Sequence, residues 1–562
     1  MKTLYRSPRI LIIALAALAE SAVATQPTDV VTSDSNDNTA MGTKALYNLT
    51  TGANNTASGA GAMLYNTTGT NNTASGDGSL ESNTAGNSNT AFGESALVSN
   101  TTGSFNTALG ESTLLYNTTA SYNTAVGYSA LAVDTGSDNT ATGAYALYTN
   151  TTGSDNVASG YGALNTNSTG DDNTASGYEA LYSNTTGSYN TAVGWSALSA
   201  NTTGYANAAS GYSALASNTT GYYNMAVGYA ALNTNTTGNA NTASGYAALY
   251  FNTTGANNTA SGYGALNANT TGANNTASGS NALAGNTTGN DNTVAGVNAL
   301  YSNTAGDDNT ASGYSALYSN TSADYNTASG YGALYSNNGN SNTASGYESL
   351  YANTSGTQNT ATGLHALAAN TTGSNNIAEG YHGGYNLTTG SNNIDIGNVG
   401  VAGESATIRI GTTSTQTAAY VAGISTAKVT GSAVYITSSG QLGVLASSER
   451  YKTAIVPMGS DSAKLVQLRP VSFRLKKDAT GTRQYGLIAE QVAKVYPELV
   501  IRNASGRIDG VRYDELAPML LNEVQQQQSK IAAQFETIAI QGAQIRTMQE
   551  RLAALEALIR QR

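Results

Sequence analysis

A glycine returns about every 17 residues, from Gly42, Gly59, Gly76 and Gly93 to Gly380 and Gly397. The unit reads N-T-A-x-G-Y-x-A-L-x-x-N-T-T-G-x-x, as in Asn241 to Asn257. A fixed period of this length restricts the chain to stacked, near-identical units. Four residues after each Gly stands a Leu, as at Leu46, Leu80, Leu97, Leu114 and onward to Leu367, with Met63 substituting once. The register slips by one residue near Gly143 and again near Gly346. The unit is too short for a helical hairpin, and its Asn, Thr and Gly disfavour helix and mark turns. Two short strands per coil are expected, one around N-T-A-x-G and one around A-L-x-x-N-T. Stacking sets Leu on Leu and Asn on Asn at a rise near 4.8 Å, so about 21 coils make a rod on the order of 100 Å.

Composition narrows the function. Of the 562 residues, 10% are charged, with Gly 62 and Pro 6, which argues for repetitive order rather than disorder. The net charge of -11 is unevenly placed, because no Lys or Arg lies between Lys44 and Arg409. A head without cations cannot neutralise phosphates, so nucleic acid and anionic membranes are not expected partners. With no cysteine, disulfides and thiolate metal sites are excluded, and no metal or cofactor is expected.

Lys2, Arg6 and Arg9, the apolar run Ile10 to Ala19 and then Ala22-Val23-Ala24 have the pattern of a cleaved secretory signal over residues 1–24. Export to the cell surface or medium is the expected localisation. No other stretch is long and apolar enough for a membrane-spanning helix. Residues 25–37 form a linker, 38–397 the repeat head and 398–446 a β-rich neck, within which Thr407 to Ile410, Ala418 to Ile424 and Val434 to Thr437 alternate.

One Leu, a few small apolar groups and a Tyr per coil bury too little to offset the entropy of ordering 17 residues. Asn ladders and stacking could close the gap; packing three thin coils about one axis closes it more easily, so a homotrimeric head is expected. Tyr161, Tyr178, Tyr212, Tyr229, Tyr246 and Tyr263 follow the Gly, with Trp195 in the same place, and Tyr148, Tyr182, Tyr250, Tyr301, Tyr318 and Tyr335 stand five after it. They read either as platforms for a glycan or another cell-surface ligand or, with more weight, as ladder packing. The Asn-x-Thr triplets, such as Asn286-Thr287-Thr288, read as structural turn residues rather than glycosylation acceptors.

The N-T-A-x-G core resembles the head repeats of trimeric autotransporter adhesins. That resemblance implies left-handed parallel β-rolls in a trimer, although the unit here is a few residues longer.

From Ser447-Ser448-Glu449-Arg450-Tyr451-Lys452 onward the chain resembles the intramolecular chaperone of endosialidases and tail fibres, a self-processing serine peptidase. The likeness rests on that opening, on Leu468 to Phe473, Gly486 to Val492, Pro497 to Val500 and Val511-Arg512-Tyr513. It departs at Ser448, where the family carries Asp. The resemblance implies a small α+β domain over 447–523 whose Ser447 attacks the carbonyl of Ala446 while Lys452 takes the hydroxyl proton. Arg450 would supply the neighbouring cation or hold the carbonyl oxygen. A lysine becomes a base only when burial or neighbouring cations lower its pKa, which fits cutting only after assembly.

Over 524–562 heptads follow: Val524, Ile531, Ile538, Ile545, Leu552 and Ile559 are seven apart, with Gln527, Gln534, Gln541, Met548 and Leu555 between them. A parallel, three-stranded coiled coil is expected. The whole is read as mainly β: a parallel β-solenoid head, a β neck, an α+β chaperone and a coiled coil. Its function is read as that of an exported, adhesin-like fibre with a self-cleaving chaperone. Two alternatives are a depolymerase-like carbohydrate-active solenoid and an ice-binding solenoid carried by its N-T-T runs. The first needs paired carboxylates in a cleft, whereas Asp171, Asp172, Asp307 and Asp308 are scattered in turns and His365 and His382 are the only histidines.

Overall fold

A computed structural model describes residues 32–421, 433–437, 440–444, 446–476, 481–503 and 505–561. The expected signal segment, 1–24, lies outside the described residues. The chain divides into two compact units, 1–415 and 416–562.

The first unit is a parallel β-solenoid of about 22 coils. A short strand β1 (Thr32–Ser33) pairs antiparallel with β2 (Thr39–Met41). From β2 onward each coil adds one strand in parallel register, Thr on Thr and Ala on Ala, to β23 (Ile394–Ile396) and β24 (Ile408–Ile410). The ladder thus runs one coil into the segment read as neck. Both one-residue slips fall in the N-T-T-G turn, at Asp134-Thr135-Gly136 and Asn337-Asn338-Gly339, and the strand register absorbs them: Thr124 pairs with Thr140 and Thr327 with Thr343.

One coil shows why the sequence folds this way. Thr242–Ser244 is extended, with Ala243 buried between two outward side chains. Gly245 at φ +137 then turns the chain, and Ala247 and Leu249 follow at φ +51 and +52. The second expected strand is therefore absent, and A-L-x-x-N is a run of turns. Left-handed φ costs a bulky residue about 1–2 kcal/mol, while complete burial of a Leu returns about 1.5–3 kcal/mol. The left-handed Leu wins because this turn drives its side chain inward. Coil-to-coil bonding survives without the strand, since Leu249 N–H donates to Ala265 O at 3.0 Å and Phe251 N–H to Asn267 O at 3.0 Å.

The core is a column of Leu flanked by two columns of Ala, nearly all at 0% exposure. Two columns of Asn, also fully buried, close it on either side. In the first, Asn241 Nδ2 donates to Asn224 Oδ1 at 3.2 Å and to Gly255 O at 2.8 Å, while its backbone N–H donates to Asn224 Oδ1 at 3.0 Å. In the second, Asn252 Nδ2 donates to Asn235 Oδ1 at 2.8 Å and to Gly255 O at 3.0 Å. Buried amides with all these partners add stability where lone ones would cost it. The core is closed within one chain, so the burial argument for three chains is met by the Asn ladders. Asn286, first residue of an Asn-Thr-Thr triplet, is fully buried with its amide bonded to Asn269 and Gly289, as the structural reading expects.

Leu249→Ala removes a filled layer that its neighbours cannot collapse onto without breaking register. A loss of about 3–5 kcal/mol is expected, readable as a lower denaturant midpoint of the head.

In the second unit, a hairpin pairs β25 (Tyr435–Ile436) with β26 (Leu442–Gly443). A 3-10 segment, Gly459–Gln467, leads to the antiparallel pair β27 (Val471–Phe473) and β28 (Gln484–Gly486). Helix α1 (Ala489–Val495) precedes the pair β29 (Val500–Arg502) and β30 (Ile508–Val511), and helix α2 (Tyr513–Arg560) completes the unit. Val492, Tyr496, Leu499, Val500, Val511 and Met519 form its small core. The third turn of α2 is locked to the 3-10 segment, where Asn522 Nδ2 donates to Gly459 O at 2.9 Å and to Ser462 Oγ at 2.6 Å. Beyond that lock, Val524, Ile531, Ile538, Ile545, Leu552 and Ile559 are exposed along the helix. Among the described residues no helix is long and apolar enough to cross a membrane.

Candidate functional site

Ser447 and Lys452 are brought together by one turn of 3-10 helix, Glu449–Tyr451. Tyr451 N–H donates to Ser448 O and Lys452 N–H to Glu449 O, each at 3.0 Å. That turn folds the chain back, so Lys452 Nζ donates to Ser447 Oγ at 3.4 Å. Ala446, whose carbonyl is the expected target, directly precedes this serine. The pair has the right partners for an amine to take a hydroxyl proton. In the single chain all these residues are exposed.

Arg450 lies against an aromatic ring. Its guanidinium carbon lies 4.7 Å from the ring centroid of the adjacent Tyr451, where a cation is held by the ring's negative face. The resemblance assigned Tyr451 no part, yet it holds this cation beside the turn. An aromatic next to an arginine was the available signal.

Downstream, Leu487 N–H donates to Tyr513 Oη at 2.7 Å, tying the end of β28 to the start of α2. Gly486 makes that approach feasible, because a Cβ there would lie 2.5 Å from Tyr513 Oη. Two blocks far apart in sequence, Gly486 to Val492 and Val511 to Tyr513, therefore meet as one structural joint.

The aromatic residues of the head form columns outside the closed core. Tyr161, Tyr178, Trp195, Tyr212, Tyr229, Tyr246 and Tyr263 stack face to face, centroids 4.8 to 5.9 Å apart. Their faces cover one another, leaving ring edges and phenol groups outward. This geometry is ladder packing, and it removes the ring faces a sugar would stack on. A shallow trough of about 320 Å³ lies between two such columns, lined by Tyr314, Tyr318, Tyr331, Tyr335, Glu348 and Tyr351 among others.

The scattered acids are engaged in turns. Asp171 Oδ1 accepts from Ser154 N–H at 2.8 Å and Asp307 Oδ1 from Asn290 N–H at 2.6 Å. His365 Nδ1 and His382 Nε2 lie 3.2 Å apart, and His365 Nε2 is 3.1 Å from Glu348 Oε2. Among the described residues no group of three or more His, Cys, Asp or Glu is arranged to hold a metal ion.

Residues 447–501 match the family model described as "Chaperone of endosialidase". The match begins at Ser447 and takes in the Ser447–Lys452 turn, the β27–β28 pair, α1 and the start of β29. No curated protein and no solved structure matches the chain.

Proposed function

We propose that the chain is an exported, adhesin-like surface fibre whose C-terminal module is an intramolecular chaperone that trimerises the chain and then cuts itself off before Ser447. The observation that carries this reading is the 3.4 Å contact between Lys452 Nζ and Ser447 Oγ at the first residue of the chaperone-family match. In the assembled state a neighbouring copy covers the turn and strips water from Lys452, which accepts the Ser447 hydroxyl proton as Oγ attacks the Ala446 carbonyl. The proton passes to the Ser447 nitrogen as the Ala446–Ser447 C–N bond breaks, and water hydrolyses the resulting ester to free the Ala446 carboxylate and the serine hydroxyl. An amide carbonyl also needs a donor for its developing negative oxygen. Arg450 is within the same turn and becomes available by leaving the Tyr451 ring. The head then remains as the displayed part, offering cell-surface molecules or glycans the same patch coil after coil.

Self-association rests on α2, a 48-residue helix whose exposed Val, Ile and Leu recur at heptad spacing from Val524 to Ile559. A long apolar seam facing water is stable only when covered. The Ser447→Ala chain, which keeps the helix attached, is expected to run in light scattering at three times the chain mass. Ile531→Asn with Ile538→Asn is expected to shift it to monomer. A monomeric Ser447→Ala chain at micromolar concentration would remove the trimer from this reading.

A carbohydrate-active enzyme is the weaker alternative. Its paired carboxylates would have to come from scattered turn acids, of which Asp171 and Asp307 already serve as acceptors for neighbouring coils.

A further inference from the structure

The threonines of each coil fall into two classes. The first Thr of each N-T-T turn donates its hydroxyl to the next coil, as Thr253 Oγ1 does to Thr270 O at 3.0 Å, Thr270 Oγ1 to Thr287 O at 2.9 Å and Thr287 Oγ1 to Thr304 O at 2.8 Å. Those of the strands do not. From Thr242–Ser244 to Thr360–Thr362, eight successive coils present Thr and then Ser, Thr or Ala outward, with the middle residue buried. These outward hydroxyls have no hydrogen-bond partner within the chain. The strand backbone beneath them is already paired coil to coil, so it offers them no acceptor.

The fold does not require this pattern. In earlier coils the same outward positions hold Phe92, Leu109, Val126, Val157, Val193, Met225 and Val227, and the ladder is unbroken. From Thr242 to Thr362 the outward strand residues are free of charge and of large aliphatic groups. A protein–protein interface core calls for aromatic or large apolar anchors, which this stretch lacks. Two columns of hydroxyls remain, about 4.8 Å apart along the axis and about 6.6 Å apart across the strand, as β geometry sets. Each Thr adds a methyl group beside its hydroxyl, so water against this face is both anchored and caged.

We propose that the strand face from Thr242 to Thr362 binds crystalline water, its hydroxyl array holding a sheet of ordered waters that merges with the surface of ice. An uncharged, periodic ligand matches an uncharged, periodic face, and eight coils supply the multivalency that single weak water contacts lack. The relevant threonines are those of the strands rather than the N-T-T runs that first suggested ice, because the first Thr of each run is bonded within the solenoid and the second forms a single column interrupted at Ala305 and Gly339. This inference stands apart from self-cleavage and trimerisation.

The test is partitioning of the full chain, carrying Ser447→Ala, into a slowly growing ice hemisphere, beside Thr293→Lys with Thr310→Lys and beside Met225→Lys in the same outward column. Circular dichroism and melting temperature establish that all three fold alike. The expected result is accumulation of the parent and of Met225→Lys in ice, with at least a tenfold loss for the double variant. Exclusion of the parent from ice like an inert solute overturns the proposal, as does undiminished uptake of the double variant or equal loss in Met225→Lys. A fall in oligomeric state confined to the double variant, without any ice uptake by the parent, assigns the face to a second copy instead.

Discussion

Gly245→Ala is expected to destabilise the head by more than about 4 kcal/mol, far beyond the usual cost of a Gly-to-Ala change. A Cβ on Gly245 would lie 2.4 Å from the carbonyl oxygen of Gly262, one coil on, and 2.7 Å from its carbon. Both atoms are backbone held in the ladder, where Gly262 N–H donates to Ser244 O at 2.8 Å, so relief requires the coils to part. The φ of +137 adds strain that only glycine escapes. Gly264→Ala provides the matched control. Its φ is +60, its Cβ would meet only the Asn281 side chain, and the previous coil already carries Ala247 there at φ +51. A change under about 1 kcal/mol is expected for it. Equal midpoints for the two variants in denaturant would contradict the stacking geometry.

Asp134→Asn is expected to stabilise the head, and most strongly above neutral pH. Asp134 occupies the second Asn column in a turn one residue short, fully buried, and burial pushes its carboxyl up to about 8. Its Oδ1 accepts from Asn150 Nδ2 at 2.7 Å and from Gly136 N–H at 3.1 Å, but Oδ2 has no partner. The unfolded chain releases this proton near 3.8, the ordinary value for an aspartate, while the folded chain retains it to about 8. The folded state thus binds the extra proton between those values, so stability falls as pH rises through that window and levels off above it. At pH 7 the penalty is on the order of 4 kcal/mol. Asn fits the shortened turn, because Asn337 holds the same place in the other one, donating to Gly339 O at 2.8 Å and accepting from Asn353. The expected result is a higher denaturant midpoint at pH 8 than the parent and a flatter profile between pH 4 and 8. A profile unchanged by the substitution would show that another group carries the pH dependence.

These two positions show what the sequence discloses and what it hides. The 17-residue period, the Leu column and both one-residue slips were legible, because a solenoid writes each coil separately into the chain. The second strand was misread, since A-L-x-x-N has no propensity signal for a left-handed Leu; only the closed coil shows that Leu249 must turn inward at φ +52. The Asn residues were read as turn formers, which they are, but their burial in two bonded columns follows from the stacking of coils and not from any one repeat. At the C-terminal module the Ser447–Lys452 pair was legible through its family resemblance, and a single 3-10 turn accounts for the contact. The contact of Arg450 with the Tyr451 ring was not, because it is set by local conformation.

Whether Ser447 and Lys452 divide the chain is read from the intact mass of the purified protein. The parent is expected to yield two fragments that meet between Ala446 and Ser447, and the Ser447→Ala and Lys452→Ala chains one unbroken species each. An unbroken parent, or a break that persists in Ser447→Ala, would contradict self-cleavage and leave the module as a permanent part of the fibre.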